Sequence, residues 1–355
     1  MKKKFKLIFV LSLTLFLCAC SSAKSLSERA IIKAVYMDYS NDLYTAALVS
    51  FTCDATTDTA SVKETAQIYC GSGENIGSAV YSAEQKQSRT PFFSQNELLF
   101  LSEDAAKMKA KEIIDYFSRE DAQRPNLAVF VTPVTANELE NCRDNMSVIV
   151  REGERLANGK TEIGNVKKLY EFNNGTAKGF SGYLPLYSFG GKEDYCGIKS
   201  LAVLNPNGDN LLLNGNAMKL LLLLDNKLNS LEMQSITEDK ISFKADDINI
   251  FYDAKTKNEQ PFLNIIISGN IKAISNANGV FFERSTTNSD AEIINRYIEA
   301  NGAEIIRQTF GVGNDVFAFT WHMRGFDNNL CEDMINFGTL YSENRVRIKC
   351  KFKVI

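Results

Sequence analysis

The sequence predicts an α+β protein built of mixed sheets and packed helices, on three grounds. Strands and helices alternate over residues 66–131, and from Lys240 onward apolar residues recur with period two, as in long strands that answer one another. The third ground is length, since 355 residues exceed what one core usually organises and imply two or three domains.

The first residues stand apart from that fold. Lys2, Lys3, Lys4 and Lys6 precede the apolar run Leu7 to Leu17, the layout of a secretory signal, and the run is shorter than the ~20 residues a helix needs to span a bilayer. Leu17-Cys18-Ala19-Cys20 matches a bacterial lipobox, whose cysteine receives a diacylglyceryl thioether and becomes the new amino terminus. Cys20 is the expected acceptor because small Ala19 precedes it, whereas bulky Leu17 precedes Cys18. Residues 1–19 then form a lipoprotein signal peptide and residues 20–27, small and polar, a flexible tether. The alternative is an ordinary signal cleaved after Ala19 that releases a soluble protein.

Taken in order, residues 31–39 and 43–51 read as a hairpin around the turn Ser40-Asn41-Asp42, and Thr52 to Lys63 as a polar loop. Strands follow at Ala66–Cys70, Glu97–Leu101 and Leu127–Val131, with helices near Glu74–Lys86 and over Ser102–Phe117, where Met108, Ala110, Ile113, Ile114 and Phe117 give an apolar stripe. Thr135 to Ala157 reads as helical, and Asn173-Asn174-Gly175-Thr176-Ala177-Lys178-Gly179 as a linker. Short strands are expected at Tyr183–Ser188 and Gly197–Leu204, and a buried helix at Ala217–Leu224 with its five consecutive leucines. Ile241, Phe243 and Ala245 change parity to Ile248, Ile250 and Tyr252, which predicts a bulge near Asp246-Asp247. Leu263 to Ile271 answers that strand, Ser289-Asp290-Ala291-Glu292 reads as a capping box opening a helix, and Arg345 to Ile355 alternates as a final strand. The division this suggests is 28–178, a mixed α/β domain, 179–239, a middle domain, and 240–355, an α+β domain.

Composition excludes several functions. Removing residues 1–19 takes away four lysines and no acid, leaving 36 of the 40 basic residues against 43 acidic ones, so no global pull toward nucleic acid exists. Cys53, Cys70, Cys142, Cys196, Cys331 and Cys350 contain no C-x-x-C, hence no clear zinc or redox motif, and are expected to be mostly free thiols. Cys70-Gly71-Ser72-Gly73-Glu74-Asn75-Ile76-Gly77 has G-x-G-x-x-x-G spacing without the acidic residue a dinucleotide site places about 20 positions on, so it reads as a plain strand-to-helix turn, and Gly311-Val312-Gly313 is weaker still. A catalytic triad would have to use the single histidine, His322, and Gly179-Phe180-Ser181-Gly182 lacks the nucleophile-elbow spacing. Asp246-Asp247 and Glu193-Asp194 are adjacent pairs in turns, which an extended chain points to opposite faces. No enzyme, cofactor or metal is expected.

Several segments carry a family resemblance: Glu28-Arg29 with Ile31 to Tyr39, Ser94-Gln95-Asn96-Glu97-Leu98-Leu99-Phe100-Leu101, Ser118-Arg119-Glu120-Asp121-Ala122-Gln123-Arg124-Pro125, Leu184-Pro185-Leu186, Gly197 to Val203, the leucine run, Phe262 to Ile271 and Asn314-Asp315-Val316-Phe317. In this order they resemble the C-subunit lipoproteins of spore germination (nutrient) receptors, the Ger(x)C type, over nearly the whole chain after the signal. The chain departs from the family in lacking Trp-Asp after the lipidated cysteine, in placing Gln95 where a His is usual, and in the stretch 320–336 around Trp321, which does not align. The resemblance implies a three-domain α+β ectodomain, lipid-anchored on the outer face of the cytoplasmic (inner spore) membrane, beside two integral-membrane receptor subunits. A solute-binding lipoprotein is the alternative, but it would need two parallel α/β lobes about a cleft, and only the first half shows that alternation.

One surface stands out. Along the final strand Val346, Ile348, Cys350, Phe352 and Val354 lie on one face, while Arg345, Arg347, Lys349, Lys351 and Lys353 lie on the other, a basic row on an acidic chain and a candidate interaction face. A solvated face that discourages aggregation is the plainer reading.

Overall fold

The computed structural model describes residues 28–54, 63–119, 126–159, 166, 168–175, 182–190, 196–205, 208–236, 241–257, 260–276, 279–280, 287–311, 316–317, 319 and 346–354. Cys20 with the signal and tether, Glu193-Asp194, Trp321, His322 and Arg345 lie outside these residues.

Asn41 and Asp42 both take positive φ, 51° and 61°, the backbone of a tight hairpin turn whose twist matches the flanking strands. They join β1 (Arg29–Ser40) to β2 (Leu43–Asp54), and β3 (Lys63–Gly73) pairs antiparallel with β2 along its full length. The predicted polar loop is therefore strand at both ends. Next comes α1 (Ile76–Glu84), then β4 (Thr90–Phe92) and β5 (Leu98–Ser102), both parallel to β1. After α2 (Glu103–Met108) and α3 (Ala110–Arg119) the chain enters β6 (Ala128–Thr132), α4 (Met146–Ala157), α5 (Leu169–Gly175), β7 (Tyr183–Ser188), β8 (Gly197–Val203) and β9 (Leu211–Asn214). Among the described residues these strands form one nine-stranded sheet in the order β3-β2-β1-β5-β6-β7-β8-β9, with β4 also beside β1. It is mixed: β1, β5, β6 and β7 run parallel, and antiparallel pairs flank them.

Helices cover both faces of this sheet. Leu99 and Leu101 face Ile113, Ile114 and Phe117 of α3, together with α1, α2 and α5, while Leu98 and Phe100 face Met146, Ile149 and Val150 of α4. Burial on both sides explains why β5 and β6 are unbroken apolar runs rather than alternating ones.

The second sheet follows α6 (Gly215–Leu224) and consists, among the described residues, of β10 (Leu231–Met233), β11 (Ser242–Lys257), β12 (Gln260–Asn276), β13 (Gly279–Val280) and β14 (Val346–Val354). β10 to β13 are antiparallel neighbours, whereas β14 lies parallel to β12. Asp247 has φ 54° where the β11–β12 register shifts, which is the bulge that the parity change predicts. One face of the sheet packs on the leucine run and on α7 (Asn288–Gly311) through Ile294, Ile298 and Ile305. Leu220 to Leu224 are all buried, so the run is core. Tyr183, Leu201, Val203 and Leu213 of the first sheet belong to the same apolar cluster, which ties β7–β9 to the second core.

Four expectations need correction. The helix expected over Ser102–Phe117 is two helices broken at Lys109 (φ −135°, ψ 9°), and the change of phase leaves Met108 half exposed rather than on the stripe. Thr135 to Ala157 is not one helix, because Thr135 donates its N–H and O–H to Glu138 and Ala136 N–H donates to Asp38, holding a turn and then a 3-10 segment, Leu139–Asn145, ahead of α4. Asn173-Asn174-Gly175 ends a helix rather than opening a linker. The capping box of α7 is formed by Thr287 and Asp290, not by Ser289 and Glu292: Thr287 N–H donates to Asp290 at 2.8 Å and Asp290 N–H to Thr287 Oγ1 at 3.3 Å. Thr287→Ala is accordingly expected to destabilise the fold by about 1 kcal/mol and Ser289→Ala to leave it unchanged, measured by thermal unfolding; equal effects would refute the assignment.

Candidate interaction face

The alternating residues of β14 separate as their parity demands. Ile348, Cys350 and Phe352 are buried, and Ile348 enters the space left by Gly302 in α7, where a Cβ would come within 2.7 Å of it. Arg347, Lys349, Lys351 and Lys353 all point to the opposite face and are exposed. Parallel register places them beside Asn264, Ile266, Ser268 and Asn270 of β12, and β11 sets Asp253, Phe251, Asn249 and Asp246 in the next column. The structure thus brings together four of the five basic residues predicted from sequence, and Arg345 falls outside the described residues.

Among the described residues, none of these four cations forms an ion pair, whereas Lys244 on β11 is paired with Asp246 at 3.3 Å. Arg347 lies 6.0 Å from the ring centroid of Phe262, at the limit of a cation–π contact. Phe251, 63% exposed, sits in one cross-strand row with Ile266 and Lys349. Sequence reasoning missed these apolar companions. The signal was present, since Phe251 and Ile266 are out of phase with the core-facing sets Ile250/Tyr252 and Ile265/Ile267.

The free edge of β14 is covered. Cys350 N–H donates to Glu299 of α7 at 2.7 Å and Phe352 N–H to Asn295 at 3.2 Å. Helix side chains thus occupy outward backbone donors that another strand would need. Burial, and then the Glu299 carboxylate, push the Cys350 thiol far above its ordinary range, which leaves it an inert apolar side chain.

The carboxyl ends of the parallel strands, where open α/β sheets commonly bind ligands, are occupied by the protein itself. Asp38 at the end of β1 is buried and accepts from Ser102 Oγ at 2.5 Å, Tyr39 N–H at 2.8 Å and Ala136 N–H at 3.1 Å. Tyr36 donates its hydroxyl to the Val134 carbonyl at 2.6 Å; burial and the nearby Asp38 charge push its phenol far above the ordinary range. These bonds strap residues 134–138 across the strand ends, and the carboxylate of Asp38 is taken up by Ser102 Oγ and two backbone donors. Gly71 and Gly73 end β3 packed against α1, and Asn75 fills the helix N-terminus, its side chain accepting from Ser78 N–H at 2.8 Å. Among the described residues no group of three His, Cys, Asp or Glu is placed to hold a metal. Cys70, Cys142, Cys196 and Cys350 are free thiols.

Comparison with known proteins agrees with this architecture. Residues 22–186 match the family described as the spore germination protein N-terminal domain. The crystal structure of the GerBC protein superposes with a TM-score of 0.53 at 12% sequence identity, covering 90% of this chain and 96% of that one, so the two share a fold along almost their whole length. No match is found among curated proteins. Residues 22–186 are thus similar to a spore germination protein N-terminal domain, and the chain as a whole shares its fold with the GerBC protein.

Proposed function

We propose that this chain is the lipid-anchored C-subunit of a spore nutrient receptor, held at the outer face of the inner spore membrane through Cys20 and acting as a non-catalytic interaction subunit beside integral-membrane subunits. The observation that carries the reading is the germination-domain match over residues 22–186. Two features support it. Among the described residues no helix is long and apolar enough to cross a membrane, and the lipobox ending at Cys20 offers an anchor ahead of the folded chain. The crevice at the parallel strand ends is strapped shut by Asp38, Ser102 and Tyr36, and the second sheet is mainly antiparallel, which fits poorly with a two-lobed solute-binding protein.

Deleting the gene is expected to leave sporulation intact, along with germination by agents that bypass receptors, and to abolish or strongly slow the response to nutrients. Loss of optical density in spore suspensions reads this directly. A normal nutrient response in a deletion strain that has no second receptor would overturn the proposal.

A further inference from the structure

Along β14 the outer face of the second sheet carries four cations outside any ion pair among the described residues, and two apolar side chains, Ile266 and Phe251, continue the row of Lys349 across the sheet. Successive basic residues on β14 are about 7 Å apart, as alternate strand positions must be. Ile266 lies beside Lys349 on the next strand and Phe251 beyond it, so an apolar strip borders the basic row at its middle. The carboxylates on this side are Asp246, Asp247 and Asp253 of β11, two strands from the cations, and Glu232 of β10, one strand farther; Asp246 is paired with Lys244, and Asp247 accepts from Asn270 at 3.0 Å. The row also opposes the sign of the whole chain, which carries a formal net charge of −3.

We propose that this face docks on an anionic lipid surface, with Arg347, Lys349, Lys351 and Lys353 at the headgroups and Phe251 and Ile266 reaching into the interfacial layer. Three of the four cations are lysines, compact point charges without the planar fork that recognises a particular carboxylate. Lysine is depleted at protein–protein interfaces and enriched where a helix or sheet meets anionic headgroups. An exposed aromatic beside such charges is the pairing that settles at a membrane boundary. Because Glu299 and Asn295 of α7 occupy outward donors on β14, the surface on offer is the sheet's face and not its edge. The docking fits a subunit tethered at a membrane, but vesicle binding measures lipid affinity alone, so its failure would leave the receptor reading standing.

The test uses the full chain, sedimented with vesicles of phosphatidylcholine alone or with one quarter phosphatidylglycerol, over a range of salt. Changing Arg347→Gln, Lys349→Gln and Lys351→Gln together is expected to lower partition onto the anionic vesicles at least tenfold and to flatten its salt dependence, with partition onto neutral vesicles unchanged. A control with the same loss of charge elsewhere, Lys86→Gln, Lys111→Gln and Arg151→Gln, should bind like the wild type; Lys2 to Lys6 are common to every arm. Phe251→Gln keeps all charges and is expected to weaken anionic partition severalfold at unchanged salt slope. Unaltered binding of the triple variant, an equal loss in the control, or no effect of Phe251→Gln would each overturn the proposal.

Discussion

Gly71→Ala is expected to destabilise the protein by about 3 kcal/mol or more, whereas Gly77→Ala, six residues on in the same glycine-rich stretch, is expected to stabilise it by about 0.5–1 kcal/mol. A Cβ on Gly71 would fall onto the backbone nitrogen of Ala83 and lie 2.7 Å from the Ala79 carbonyl oxygen, both main-chain atoms of α1. No rotamer relieves such a contact, so β3 and α1 must separate along a seam that includes buried Ala79 and Ala83. A Cβ on Gly77 would meet the Asn75 side chain at 3.5 Å, an ordinary distance, and alanine there removes the entropic cost of glycine in a helix. Thermal unfolding followed by far-UV circular dichroism separates the two variants. A loop kept glycine-rich in order to cradle phosphate would tolerate alanine at Gly71 in the absence of ligand, so a wild-type melting curve for Gly71→Ala would refute the packing explanation.

The same seam shows what sequence pattern can and cannot convey. Strand-helix-strand alternation over residues 66–131 and the period-two stretches after Lys240 were legible because each element buries a face whose period its own residues carry. The hairpin at Asn41-Asp42 and the bulge at Asp247 were legible for a related reason: parity and turn chemistry are local. Features decided by tertiary hydrogen bonds were not. The turn over residues 135–138 exists because Asp38, nearly a hundred residues earlier, accepts from Ala136. Thr287 displaces Ser289 as the cap of α7 because Asp290, rather than Glu292, turns back to bond it. Helix α5 lacks a strong apolar period and is held by burying Leu169 and Phe172 against the first sheet. At the candidate face, the basic row could be read from alternation within one strand. Phe251 and Ile266 join it only through the register of β11, β12 and β14, which a sequence does not display.

Cys20→Ala is expected to release the protein from the membrane almost completely, while Cys18→Ala leaves it bound. Each methylene buried in a bilayer contributes about 0.8 kcal/mol; one acyl chain holds a protein only marginally, but the two chains of a diacylglyceryl thioether hold it stably. The cations of β14 add a salt-sensitive attraction that decays over a Debye length of roughly 8 Å, and the two apolar side chains beside them bury far less than two acyl chains do. The two contributions therefore separate in a high-salt wash, which screens the face and spares the lipid. After such a wash the wild type and Cys18→Ala should remain with the membrane fraction and incorporate labelled fatty acid, and Cys20→Ala should do neither. Equal retention of both cysteine variants, or label persisting in Cys20→Ala, would show that the anchor lies elsewhere in the chain.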